Sequence, residues 1–252
     1  MRFLLLLLLA AGPALARPDC AGPVAESARI LRLEKDGTLA LADGRTALLE
    51  GIRLPQGDAD HAPVPFARQA LAALDGLAGS GPLTLTALPP RTDRYDRIRV
   101  QAFGADGTWL QIALLRRGLA RVQIAPDRSE CAAELYAVES DARTHHRGLW
   151  SSPAYAIRAA TAMTAPAGTF QIVEGKVLHV GAASGRIFLD FSENYKRDFT
   201  AIIAPDDRKT FRAAGVDPRT YRGKRIRLRG MVQIYNGPEI EIANPAQIET
   251  LD

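Results

Sequence analysis

Residues 91–122, RTDRYDRIRVQAFGADGTWLQIALLRRGLARV, constrain the fold of this chain more than any other stretch. A charged turn from Arg91 to Arg97 runs into an alternating segment in which Ile98, Val100 and Ala102 share one face, the pattern of a half-buried strand. Asp106-Gly107 then supplies the positive φ that a tight turn needs. Leu110, Ala113 and Leu114 follow at helical spacing, with Arg116 and Arg117 in the last turn, where cations suit the helix dipole. Gly118 is the natural stop, because glycine takes the left-handed conformation that closes a helix at little steric cost.

The flanks extend this pattern. Upstream, Ile30–Leu33, Leu39–Leu41 and Leu48–Ile52 read as three short strands, broken by the turn signals Asp36-Gly37 and Asp43-Gly44. A polar loop, Gly57–Pro65, leads to a helix from Phe66 to about Leu77 with Phe66, Ala70, Leu74 and Leu77 on one face, and Leu83–Ala87 is a fourth strand. Downstream, a helix is expected from an N-cap at Ser129 to Arg147, stopped by Gly148. His145 and His146 in its tail invite a metal reading. Adjacent histidines on a helix point about 100° apart, however, and basic groups suit a helix C-terminus anyway.

The chain has 252 residues, 47% hydrophobic and 24% charged, which is ordinary globular material for one large or two modest domains. A net charge of +4 is compatible with a polyanionic partner without demanding one. Met1-Arg2, the apolar run Phe3–Ala11 and the small-x-small triplet Ala14-Leu15-Ala16 have the layout of a secretory signal peptide. The run is too short for a membrane span, so residues 1–16 are expected to be removed and the product to be periplasmic or secreted. Export favours joining the two cysteines, Cys20 and Cys131, in a disulfide. The competing reading is a buried thiol, since Cys131, Leu135, Val138 and Ala142 share a helical face.

Residues 158–168 are small, mostly uncharged and without clear period, and read as a linker between a domain at 22–157 and another at 169–252. In the second domain, strands are expected over Phe170–Val180, Arg186–Phe191, Phe199–Ala204, Lys224–Tyr235 and Glu239–Ile242. A short helix lies near Asp207–Ala214, and Asn236-Gly237 makes the last turn. Five strands with a helix between the third and fourth is the order of an OB-fold.

Three ordered motifs carry a resemblance to a known family: Asp93-Arg94-Tyr95-Asp96-Arg97, Asp106-Gly107-Thr108-Trp109-Leu110, and Leu115-Arg116-Arg117-Gly118-Leu119-Ala120-Arg121-Val122, extended by Arg147-Gly148-Leu149-Trp150. Over roughly Arg29–Trp150 the chain resembles the staphylococcal-nuclease-like (thermonuclease) family. The resemblance implies an α+β, mainly β protein: one nuclease-type OB barrel followed by a second, five-stranded OB-like barrel. Active relatives hold calcium with two aspartates, use a glutamate toward the attacking water and stabilise the phosphate with two arginines. Only Arg97 matches a catalytic position, while Arg94 and Tyr95 match neighbouring phosphate-contacting ones. The remaining catalytic positions fall on Gly37, Arg53, Gln56 and Leu48, and the base-stacking tyrosine falls near Ile124.

These departures point toward loss of calcium-dependent cleavage. Calcium takes six to eight oxygens and wants anionic ligands, whereas Arg53 brings a cation and Gln56 cannot serve as a base. No cofactor is therefore expected. A rebuilt metal site from Asp36, Asp58 and Asp60, with His61 nearby, is the alternative that would keep a nuclease active. In the second domain Arg225, Arg227 and Arg229 share one strand face. With Phe188, Tyr195, Phe199 and Tyr235 available for stacking, they resemble a surface for single-stranded DNA or RNA. The overall expectation is an exported nucleic-acid-binding protein on a retired nuclease fold, with an envelope interaction scaffold as the remaining possibility.

Overall fold

The computed structural model describes residues 18–79, 81–194 and 198–251. The expected signal peptide, Ser80 and the Tyr195 named above lie outside them. Among the described residues no helix is long and apolar enough to cross a membrane.

The first half runs β1 (Val24–Ala28), β2 (Ile30–Leu33), β3 (Leu39–Leu41), β4 (Thr46–Leu49), β5 (Ile52–Arg53), α1 (Val64–Ala78), β6 (Leu83–Thr86), β7 (Ile98–Phe103), α2 (Leu110–Arg116), β8 (Arg121–Val122) and α3 (Ala132–Thr144). Six strands pair in the order β1-β6-β7-β4-β3-β2. β1 and β2 stand at opposite edges of that sheet yet are separated in sequence by Arg29 alone. The sheet must therefore curl back on itself, which gives the nearly closed barrel expected from the turn spacing. Its filling is aliphatic: Leu39, Leu41, Leu83, Leu85, Leu110, Leu114 and Leu115 are fully buried.

β1 was not expected; it pairs with β6 and brings Cys20 to Cys131, which are joined in a disulfide. The last helix of this half is shorter than its sequence pattern. Cys131 sits at φ 59°, so the helix begins after it rather than at a Ser129 cap. At the other end it stops at Thr144, just before His146 turns to φ 50°. Gly118 and Gly148 then press backbone against backbone: a Cβ on Gly118 would lie 2.0 Å from the Arg147 carbonyl oxygen, at φ +65°. Gly118→Ala is accordingly expected to lower unfolding free energy by about 3 kcal/mol, the upper end for overpacking. Urea denaturation checks this, and a loss below about 1 kcal/mol would contradict the packing described.

The second half runs β9 (Arg158–Ala159), β10 (Phe170–Lys176), β11 (His179–Ala183), β12 (Arg186–Asp190), β13 (Thr200–Ile203), α4 (Arg208–Ala213), β14 (Arg225–Ile234), β15 (Pro238–Glu241) and β16 (Ile248–Thr250). The sheet order is β11-β12-β13-β15-β14-β10-β9, with β16 also on β14. β10 and β11, expected as one strand, break at Val177 and Leu178. These donate instead to Lys224 and Asp190, and the break lets the second sheet curl as the first does. α4 lies between β13 and β14 as expected, but the five expected strands become eight: the first divides into β10 and β11, and β9 and β16 are added.

Residues 158–168 depart from the linker reading. Arg158 and Ala159 pair in parallel with β10, and Ala160, Met163 and Ala165 are buried in the second core. Small residues are required there because the backbones approach closely: a Cβ on Gly175 would stand 2.7 Å from that of Ala160. Polar contacts also cross between the halves, from Tyr136 Oη to the Ala246 carbonyl (2.6 Å) and from Arg121 to the Phe170 carbonyl (2.8 Å).

Candidate functional site

A cavity of about 630 Å³ opens on the first barrel where four segments meet: the β2–β3 turn at Asp36-Gly37, the stretch Leu48–Gln56, the loop Thr92–Arg97, and Gln123–Asp127. The motif loop is built on Asp93. Its carboxylate accepts from the backbone N–H groups of Tyr95 (2.9 Å) and Arg97 (3.0 Å) and from the Arg97 guanidinium (2.8 and 2.7 Å). Partial burial alone would raise the Asp93 pKa, but these bonds outweigh it and hold the carboxyl below its usual range. The loop is thus pinned, with Arg97 also 4.0 Å from Asp36. Tyr95 is 63% exposed, and its ring is flanked by the guanidinium groups of Arg94 (4.8 Å) and Arg97 (5.3 Å). No carboxylate pairs with Arg94 among the described residues.

The positions that would carry calcium chemistry are not equipped for it. Gly37 sits at φ +87°, and a Cβ there would lie 2.6 Å from Leu54 Cδ1, so a carboxylate at this position demands both strain and repacking. Arg53 Nη2 stands 3.6 Å from Asp60. Gln56 turns its side-chain amide toward the Leu54 carbonyl (3.3 Å), and Leu48 contributes only an apolar wall. Ile124 is buried. A calcium ion does not fit this donor set.

The alternative metal trio is not brought together. Asp60 is 5% exposed and is consumed internally, accepting from Arg121 (2.8 Å) and from the Gln56 backbone N–H (2.8 Å). Asp58 is exposed and does not line the cavity, which Asp36 does. Among the described residues no three histidine, cysteine, aspartate or glutamate side chains are grouped to hold a metal.

Sequence reasoning missed a charged set at the cavity floor. Arg99, buried on β7, makes a paired contact with Asp127 (2.7 and 2.6 Å) and sets its Nε 3.5 Å from Glu50 Oε2. Burial pushes the Glu50 carboxyl up, partly offset by the cations Arg99 and Arg128. The hydrogen bond from Arg99 holds Asp127 low. The available signal was a spacing: Glu50 follows the last residue of β4 and Arg99 is the second residue of β7. It becomes meaningful only once β4 is known to pair in parallel with β7, Leu48 opposite Arg99.

The basic run of the second half needs correction. Arg225, Arg227 and Arg229 do share a face, but acids fill it. Arg225 and Arg227 bind Glu174 across the β10–β14 ladder, and Arg227 also reaches Glu249 (3.6 Å). Arg229 is 0% exposed, enclosed by Glu139 and Glu249, and cannot reach a nucleic acid. Of the stacking candidates, Phe199 is core, packed on Phe191. Phe188 and the exposed Tyr235 line a different cavity, whose described walls carry Asp190, Glu193, Asp198 and Glu239 against His179 and Arg186. Aromatics and arginines therefore do not share one surface.

The barrel, its pinned Asp93–Arg97 loop and the glycine-closed α2 define a class. Residues 46–152 match the model of the family described as staphylococcal nuclease homologue, which supports a staphylococcal-nuclease-like domain in this part of the chain. No curated protein matches the chain.

Proposed function

We propose that this protein binds single-stranded nucleic acid through the first-barrel cavity without calcium-dependent phosphodiester cleavage, and that it acts outside the cytoplasm. The observation that carries the reading is the exposed Tyr95 ring in the cavity lining, with the Arg94 and Arg97 guanidiniums beside it. An exposed aromatic supplies a stacking face for a base, and flanking guanidiniums supply phosphate contacts. The match to the nuclease family over residues 46–152 is consistent with a polyanionic ligand at this place. The missing acids argue against hydrolysis: Gly37, Arg53 and Gln56 leave neither an anionic calcium cage nor a base where the family keeps them. Export is supported by the Cys20–Cys131 disulfide, which needs an oxidising compartment to persist. The second barrel, with its neutralised arginine face, acts in this reading as a support to the first.

The test is one gel of the oxidised protein with labelled single-stranded DNA and RNA, run with calcium, other divalent ions or chelator. The expected result is a shift without cutting, weakened as salt rises because phosphate contacts release counterions. Tyr95→Ala should weaken binding by about 1–3 kcal/mol. Arg97→Ala should flatten the salt dependence by about one phosphate contact. Metal-dependent cleavage abolished in Arg97→Ala would overturn the proposal, as would the absence of any shift.

A further inference from the structure

We infer that Glu50 is a base-reading group within the cavity and that it selects guanine, an assignment that rests on the nucleic-acid reading above. The Glu50 side chain is 8% exposed and lines the cavity. Its Oε2 has no hydrogen-bond donor among the described residues and is closed to solvent, so a base edge reaches it only when the neighbouring side chains give way. The nearest cation, Arg99, points its Nε at 3.5 Å, outside good hydrogen-bond distance, because Asp127 already engages both terminal nitrogens. A buried carboxylate left without donors is costly, and a ligand that brings donors removes that cost.

The placement selects the ligand. Arg97 just precedes β7 and Arg99 is its second residue, and both line the cavity with Glu50. Glu50 is tied beside Arg99 by its backbone N–H to the Val100 carbonyl (2.9 Å). A phosphate at Arg97 and a base edge at Glu50 therefore fall within one cavity. A carboxylate only accepts, so it wants two adjacent donors. Guanine alone among the common bases offers them, as N1–H beside the 2-amino group. Adenine and cytosine set a ring acceptor next to their amino donor, and uracil sets carbonyls on both sides of its N–H.

The experiment displaces labelled single-stranded DNA from the full oxidised chain with 5′-GMP, 5′-IMP, 5′-AMP and inorganic phosphate. GMP should compete about 10-fold better than AMP, the scale of one good paired base contact, with IMP between because it keeps N1–H and lacks the amino group. In Glu50→Gln the GMP-to-AMP ratio should fall to about one. Wild-type protein alone tests the ranking, so a poorly folded variant does not rescue the idea. Equal competition by GMP and AMP, or a preference that survives Glu50→Gln, overturns the assignment and leaves phosphate binding standing. Failure of the labelled DNA to bind at all overturns the nucleic-acid reading, and this inference with it.

Discussion

Arg229→Ala is expected to cost about 3–5 kcal/mol of unfolding free energy, the scale for breaking a buried ion pair from one side. Arg229 Nη1 donates to both oxygens of Glu139 (3.0 and 2.9 Å) and to the Val122 carbonyl (3.1 Å), and Nη2 donates to Glu249 (2.6 Å). The guanidinium also lies 4.3 Å from the Tyr136 ring centroid. Burial would lower its pKa, yet Glu139, Tyr136 and Glu249 together raise it, so the group is charged at every accessible pH. Alanine leaves Glu139, 1% exposed, with the Val122 N–H (2.7 Å) and the longer Arg143 contact (3.3 Å). Arg143 keeps the loss toward the lower end of the range. Arg229→Lys should fall between, because an ammonium retains charge but not the fork that serves two acids. Adding Glu139→Gln to Arg229→Ala should recover part of the loss by removing the stranded charge. Urea denaturation of the oxidised proteins checks the series, and a single variant within about 1 kcal/mol of the parent would sink the argument. Since Arg229 is on β14 and Glu139 on α3, the parent should also unfold in one transition that both halves share.

The same arginine shows where sequence reading reaches its limit. Period-two alternation placed Arg225, Arg227 and Arg229 on one face correctly, because strand geometry fixes that from neighbours alone. What occupies the face depends on Glu174 and Glu249, 53 and 20 residues from the arginines they meet, through pairings no local pattern encodes. The first barrel was legible because its glycines at Gly37, Gly44, Gly107 and Gly118 all take positive φ, and turns at those points leave the strands little choice. The 158–168 stretch misled for a physical reason: small aperiodic residues suit both a loose linker and a tight backbone approach, and here Ala160 meets Gly175. Of the site, the Asp93–Arg97 loop could be read as a motif, since its bonds are local. Glu50, Arg99 and Asp127 could not, because they join across the parallel β4–β7 pairing and a later loop. Asp60 was misread for the same reason: its partner Arg121 is 61 residues away.

Reduction of Cys20–Cys131 is expected to remove about 4 kcal/mol, since the bond spans a sequence separation of 111 and the loss grows slowly with loop length. At roughly 2–4 °C per kcal/mol for a chain of this size, the midpoint of thermal unfolding should fall by about 8–16 °C. The effect begins locally. Cys20 leads directly into β1, whose pairing with β6 supplies one edge of the curled sheet, and Cys131 is the residue on which α3 starts. Freed from Cys131, β1 keeps its pairing with β6, which spans Val24 to Ala28. A short strand at a sheet edge frays readily. Amide exchange should therefore accelerate first in Glu26–Ala28 and in the facing Leu83–Leu85, while β14 in the second half stays protected. Cys20→Ala/Cys131→Ala reproduces the reduced state without a reductant and separates the loss of the bond from side reactions. A midpoint that moves by less than about 3 °C in both the reduced protein and the double variant would mean that the barrel closes without the tether. Matching losses in the two would place the stabilisation in the covalent link between the N-terminal strand and α3.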